Sequence, residues 1–470
     1  MTSNPLETLF NNATKHFNKR MGYQIMLHRS KKSHLFIFLL VSGSCLIALL
    51  AVLIPLLGLK IAPASAADSL ANTQTIQMPP TQTSCPANGT ARAAVMRPVK
   101  LGKDPTIVYV YNEVPLNTTI AYGHLKFYDV TTGQKSVLVT SGLSIENAQV
   151  SANGQWVLFL SQIDPRGDRQ HESMLQLIRI DGQGLQTLYC LPAGIVSRST
   201  NIQWSTDQKS ILISTDDNTS TSTVTLLNIA TGKLTTELKI TDKNYEYSVL
   251  TWLDHTRAYV VRSGRFGPVP PIVLSILDTA KYNNPNGRNL KKVLEHSIRF
   301  SYLSLDSSYD AKQLFVGYCW MVGANQPFDT TISVGPATGG TQKTIYHQAP
   351  TICVQELRAV APQTLLMTVQ SINLSTNTSY NQLWKMKPDG SSRTVLFNHP
   401  TNATTYHMNV FTQFPWSNVS RDGSMYTLQT TNQKNLLQTL VYGSLKGGNP
   451  IQFAYTSRGS VDIVGWTTWG

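Results

Sequence analysis

The sequence predicts an all-β chain, a seven-bladed β-propeller closed by its own C-terminal strand and preceded by one transmembrane helix and a linker. Three observations carry this. After residue 100 a cassette of four short strands recurs, and its marker glycines, Gly133, Gly182, Gly232, Gly287, Gly339, Gly390 and Gly447, fall 49 to 57 residues apart. Repeats of this length with four strands each are the signature of a propeller. The final stretch, Asp462 to Gly470, looks like the start of another cassette, while the first cassette lacks its opening strand.

The clearest cassette runs from Ile202 to Ile240. A strand enters Trp204-Ser205-Thr206-Asp207, a second occupies Ser210 to Ser214, and an outer pair is joined at Thr231-Gly232-Lys233. Period-two alternation with turn residues between runs favours strand over helix. A copy precedes it, opened by Val150-Ser151-Ala152-Asn153-Gly154, and another follows near the C-terminus, running from Trp416 to Leu428 with its opening turn at Val419-Ser420-Arg421-Asp422-Gly423. Weaker copies open at Leu250, Leu303 and Cys353, and the incomplete first copy begins near Thr106. A strand at Asp462 to Gly470 that pairs into the first blade would close the ring and remove its exposed edges. Trp204, Trp252 and Trp466 share a repeat position, with Trp416 close to it, and are expected in the packing between blades.

These turns resemble the WD40-like propeller repeat of the TolB family, whose blades open with a W-S-P-D-G type turn and close with a D-x-x-T-G type turn. The opening turn is quoted above; the closing turn stands here as Asp129-Val130-Thr131-Thr132-Gly133 and Asn228-Ile229-Ala230-Thr231-Gly232. The resemblance covers residues 104 to 470 at the level of fold. It implies a location outside the cytoplasmic membrane, and because TolB proteins are usually six-bladed it keeps six as the alternative count.

Ahead of the propeller, Leu35 to Leu59 contains no charged residue over 25 positions, enough helix to span a bilayer. Of the formal net charge of +13, a net +6 lies in the first 60 residues, mostly before this run. The positive-inside rule then puts residues 1 to 34 in the cytoplasm as a basic tail and the remainder outside, so the expected location is the cell membrane, single-pass, with the propeller extracytoplasmic. The alternative is a secreted chain cleaved near Ala66, after the small residues Ala64-Ser65-Ala66. Residues 60 to 103 are rich in Ala, Ser, Thr, Gln and Pro and read as an extracytoplasmic linker. Four cysteines lie outside the membrane run, Cys85, Cys190, Cys319 and Cys353. An even number in an oxidising location marks them as disulfide candidates, and chain order in a repeat fold favours Cys85 with Cys190 and Cys319 with Cys353.

Chemistry is sparse. There is no G-x-S-x-G elbow, and His171-Glu172 lacks a second histidine at metalloprotease spacing, so no catalytic residue, metal site or cofactor is assigned. The loops between second and third strands are the parts that the repeat does not specify. They hold Asp164, Arg166, Asp168, Arg169 and His171 in the second blade, Arg262, Arg265 and Phe266 in the fourth, and Trp320 in the fifth. Charges beside aromatic groups on one rim make these the candidate partner-binding residues. The functional expectation is a membrane-tethered protein- or ligand-binding module. Its partners would be the bilayer through residues 35 to 59 and an envelope protein or anionic cell-wall polymer, with no nucleic acid, and the chain would be a monomer. The alternatives are an envelope sensor signalling through the helix and a hydrolase working at the channel mouth.

Overall fold

The structure is a computed structural model. It describes residues 85–92 and 98–469, apart from 117, 119, 164–170, 196–199, 218, 266–271, 282–289, 297–301, 309, 322–327, 362–363, 374, 377, 399–403 and 410–414. The segments expected to form the cytoplasmic tail and the membrane helix lie outside the described residues, among which no helix is long and apolar enough to cross a membrane.

Seven four-stranded antiparallel sheets follow one another, so the blade count is seven and not six. The first blade contains β1 (Pro105–Glu113), β2 (Tyr122–Asp129) and β3 (Lys135–Thr140). The second is β4 (Ile145–Val150), β5 (Trp156–Gln162), β6 (His171–Arg179) and β7 (Gln186–Pro192). The third is β8 (Asn201–Trp204), β9 (Ser210–Asp216), β10 (Thr221–Asn228) and β11 (Leu234–Thr241), and the fourth β12 (Tyr245–Trp252), β13 (Arg257–Gly264), β14 (Ile272–Asp278) and β15 (Lys291–His296). The fifth is β16 (Tyr302–Ser307), β17 (Gln313–Met321), β18 (Phe328–Pro336) and β19 (Lys343–Gln348). The sixth is β20 (Ile352–Ala361), β21 (Thr364–Asn373), β22 (Thr378–Met386) and β23 (Thr394–Asn398). The seventh is β24 (Thr404–His407), β25 (Met425–Asn432), β26 (Gln438–Ser444) and β27 (Ile451–Thr456), after which β28 (Gly459–Thr468) returns to the first blade.

β28 pairs antiparallel with β1 from Pro105↔Thr468 to Glu113↔Gly459, giving the first blade the order β28-β1-β2-β3. Val461, Ile463, Val464 and Trp466 are buried there, and the indole Nε1 of Trp466 donates to Thr427 Oγ1 of the seventh blade at 3.2 Å.

The turns explain the repeat. In the opening turn a serine hydroxyl donates to the Asp or Asn side chain two residues on and accepts the amide five residues on. Ser205 donates to Asp207 Oδ1 at 2.7 Å and accepts Ser210 N at 3.0 Å, and Ser151 and Ser420 repeat both bonds. A fourth copy at Ser308, bonded to Asp310 at 2.6 Å and to Gln313 N at 2.9 Å, carries the same Ser-x-Asp-x-Lys spacing as Ser205 to Lys209. Of the seven marker glycines, Gly287 lies outside the described residues and the other six have φ between 69° and 99°. The ruler read from the sequence is therefore a left-handed turn position, where a Cβ is unfavourable.

The opening of the seventh blade is irregular, although its serine turn stands at Ser420 as expected. Pro415–Ser417 is a single 3-10 turn, the inner strand is Thr404–His407, and Val419 bridges Tyr426. Val419, directly before Ser420, takes the place that Val150 and Trp204 take before Ser151 and Ser205, so the tryptophan pattern is three residues out of register. Trp416 is half-buried with the Arg421 guanidinium 4.3 Å above its ring, whereas Trp204, Trp252 and Trp466 are fully buried.

Each blade is tied to the next by a side chain bonded to the neighbour's backbone. Asn112 donates to Ile145 O at 2.9 Å and accepts Ile145 N at 2.9 Å; Asn147 donates to Thr200 O at 2.7 Å and Asn201 to Val249 O at 2.7 Å. Tyr259 donates to Ala337 O at 2.6 Å, Ser304 accepts Leu357 N at 2.8 Å, Asn381 donates to Thr404 O at 2.5 Å and Asn409 to Ile463 O at 2.9 Å. Edge amides and carbonyls that no strand pairs are thereby satisfied. Sulfur adds two cross-links, Cys85–Cys190 and Cys319–Cys353, the second joining the fifth and sixth blades.

The described part of the expected linker is docked. Gly89 N donates to Gly232 O at 3.0 Å, Arg92 N to Ile229 O at 2.9 Å, and Leu234 N to Asn88 Oδ1 at 2.9 Å. Val99 and Leu101 pack on the core shared by the first two blades. The Cys85–Cys190 pairing made this docking legible in the sequence, whereas the contacts of the backbone, Asn88, Arg92, Val99 and Leu101 leave no periodic pattern.

Removing β28 would expose β1 and strip about 1.5–3 kcal/mol for each large apolar side chain it buries. A chain ending at Ser460 is expected to melt at least roughly 10 °C lower than the full protein, or without cooperativity, in circular dichroism. Equal midpoints would refute closure by β28.

Candidate functional site

The rim residues singled out from the sequence separate into three groups. Asp164, Arg166, Asp168, Arg169 and Phe266 lie outside the described residues, and His171 is described only as the first backbone position of β6. Arg262 and Trp320 lie on strands. The Arg262 guanidinium sits 4.6 Å over the Tyr245 ring, and Trp320, 37% exposed, stands cross-strand from Asp329, which pairs with His347 at 2.9 Å. Arg265 is where the structure departs from expectation. Its guanidinium pairs with the Asp216 carboxylate and both side chains are buried, 3% and 7% exposed. Arg265 Nε also donates to Asp242 O at 2.8 Å, and Ser222 Oγ donates to Asp216 Oδ2 at 2.6 Å. This is a staple between the third and fourth blades, unavailable to a partner.

A different group of ionisable side chains is brought together by the ring. The first strand of each cassette, with β28 in the first blade, lines the centre of a propeller. On four consecutive blades these strands carry Glu356 (β20), His407 (β24), Asp462 (β28) and Glu146 (β4). His407 Nδ1 lies 3.2 Å from Glu356 Oε1, and the His407 side chain is 50% exposed against 18% for Glu356. The second Glu356 oxygen accepts Met408 N at 2.6 Å and the Thr368 hydroxyl at 3.3 Å, which fixes the carboxylate. Asp462 accepts from Ser460 Oγ at 3.0 Å and also from Gln429, and Ser460 in turn accepts Asn112 Nδ2 at 3.1 Å. Gln162 Nε2 donates to Glu146 Oε1 at 3.1 Å. Asp462 and Glu146 are half-buried.

Their electrostatics are coupled. The hydrogen bond to Glu356 holds the His407 pKa above the ordinary imidazole value; partial burial opposes this, and the carboxylates of Glu356 and Asp462 add to it. Burial pushes the Asp462 carboxyl upward and the neighbouring Glu146 charge reinforces the rise, while Ser460, Gln429 and His407 favour the ionised form. Glu246 on β12 is also raised, chiefly by burial. The wall thus offers an imidazole beside carboxyl groups, suited to hydrogen-bonding a hydroxyl- or amine-bearing group. Among the described residues, no three or more His, Cys, Asp or Glu are grouped to hold a metal ion.

No protein-family model matches the chain, and no curated protein matches it. Among solved structures, the chain is similar to TolB from Acinetobacter baumannii at 13% identity and TM-score 0.39, covering 63% of this chain and 64% of that one. It is similar to the β-propeller domain of the Trilobed protease from Pyrococcus furiosus at 9% identity and TM-score 0.49, covering 76% and 98%. It is also similar to the periplasmic gluconolactonase of Pseudomonas aeruginosa at 10% identity and TM-score 0.46, covering 76% and 99%. The chain resembles TolB-like propellers in fold. Likenesses of this size say nothing about activity, and the blade count rests on the chain's own sheet topology.

Truncating one partner of a buried ion pair strands the other charge at a cost of about 3–5 kcal/mol. Arg265→Ala is therefore expected to lose stability of that order in urea denaturation, with Asp216→Asn restoring part of it. A loss below about 1 kcal/mol would return Arg265 to the exposed rim.

Proposed function

We propose that the chain is a membrane-tethered, extracytoplasmic propeller that acts as a binding module and takes a polar group of its partner into the central channel. The observation that carries this is the row Glu356, His407, Asp462 and Glu146. These side chains occupy inner-strand positions, are half-buried or exposed, and form none of the side-chain-to-backbone ties that hold successive blades together, apart from Glu356 with Met408 N. The scaffold has no evident need for three carboxyl groups and an imidazole there. Ionisable groups with shifted pKa values converging in a concavity mark functional sites.

The compartment reading is supported by the two disulfides, which suit an oxidising environment, and by the uncharged run Leu35 to Leu59, read as a single-pass anchor with residues 1 to 34 inside. The partner that fits best is an envelope protein presenting hydroxyl or amine groups. An anionic cell-wall polymer would instead be drawn by the net positive charge that the chain carries beyond residue 60.

The test uses the full chain with Glu146→Gln, His407→Gln and Asp462→Asn combined. Cross-linked capture from the native envelope should recover a partner with the wild type and lose it with the triple variant, while the thermal midpoint changes little. An identical captured set for both proteins would contradict the channel reading.

A further inference from the structure

The segment preceding the first blade has two anchors of different chemistry. At one end Cys85 is bonded to Cys190 in β7, the outer strand of the second blade. At the other, Arg92 is wholly buried although residues 87–91 are exposed. Its Nε donates to Leu188 O at 3.1 Å and its Nη1 to Gly232 O at 3.4 Å and to Thr90 O. Nη2 donates to Ala87 O at 3.2 Å and Pro86 O at 3.4 Å. The segment is pressed so closely onto the closing turn of the third blade that a Cβ on Gly232, already at φ 69°, would stand 1.7 Å from Thr90 O. It therefore spans the outer margins of the second and third blades as a strap, and takes no part in the ring closed by β1 and β28.

The two disulfides differ in access. Cys319 and Cys353 are both 0% exposed, whereas Cys85 is half-buried, at the start of an exposed stretch. Exchange requires a thiolate to reach a disulfide sulfur, so a reductant meets Cys85 first. With that bond open, the strap is held by the Arg92 guanidinium, bonded to neutral carbonyls after losing its hydration, and by the hydrogen bonds of Gly89 N, Arg92 N and Asn88 Oδ1 to the third blade, a weaker hold than the covalent one, which closes a loop spanning a sequence separation of 105 residues.

We propose that Cys85–Cys190 is a redox latch, whose reduction releases residues 85–92 from the second and third blades while the propeller stays closed. In the step, one thiolate of a dithiol reductant attacks Cys85 Sγ and Cys190 leaves as a thiolate that takes up a proton. The second thiol then attacks the mixed disulfide and displaces Cys85 as a thiolate, which is protonated in turn. The cysteine pair gains two electrons and two protons, and the reductant leaves as a cyclic disulfide.

Trypsin reads the latch directly, since it must grip the Arg92 side chain to cut the Arg92–Ala93 bond. In the oxidised full chain that bond should resist. After mild dithiothreitol treatment followed by alkylation, mass spectrometry should find label on Cys85 and Cys190 but not on Cys319 or Cys353. Cutting at Arg92 should then quicken on the order of tenfold or more, because cleavage follows the population of the open form. Cys85→Ser should reproduce the fast cutting without reductant and keep a cooperative thermal melt. The latch is overturned by a cutting rate that neither reduction nor Cys85→Ser changes, by label appearing first on Cys319 and Cys353, or by loss of the cooperative melt in Cys85→Ser.

Discussion

The pairing of β28 with β1 is the contact on which the rest of the domain depends. It brings residues more than 340 positions apart into one ladder, for example Ile107 beside Trp466, and converts a row of sheets into a ring. A row would have two open ends, each with unpaired backbone groups and an uncovered apolar face. The ring has neither, and the large indoles of Trp204, Trp252 and Trp466 can be buried between blades only because every blade has a neighbour on both sides.

Closure also decides which residues remain for function. Blade junctions use Asn112, Asn147, Asn201, Ser304, Asn381 and Asn409 to satisfy edge backbone groups, and the third junction adds the buried Arg265–Asp216 pair. The conspicuous aromatic and charged residues of the repeat are thereby consumed by the scaffold. The inner strands also carry Glu356, His407, Asp462 and Glu146 on four separate strands, of which Glu356 accepts Met408 N and so also serves the junction of the sixth and seventh blades. His407 keeps half of its side-chain surface and is the best placed of the four to meet a ligand.

How much was legible in the sequence follows from which interactions are local. The marker glycines were legible because one backbone conformation, fixed within four residues, demands them. The serine turn at Ser205 was legible for the same reason, and so was the closing strand, because Trp466 repeats the pattern of Trp204. The turn at Ser308 carries the same local Ser-x-Asp-x-Lys signal as Ser205 to Lys209 and was just as legible. Trp416 stands near the repeat position but outside it, because the chain at Pro415–Ser417 takes a tight turn. Non-local contacts carried no such signal. The burial of Arg265 depends on Asp216 in another blade, the strap depends on a groove built around residues 188 and 232, and the channel row depends on closure itself.

Amide hydrogen exchange along β28 tests the closed ring most directly. Ladder amides between residues 459 and 468 should exchange as slowly as those at the centres of β5 and β21, through global unfolding, because the strand cannot leave without opening the ring. Exchange of β28 by local fraying, much faster than in those strands and insensitive to added denaturant, would contradict the account.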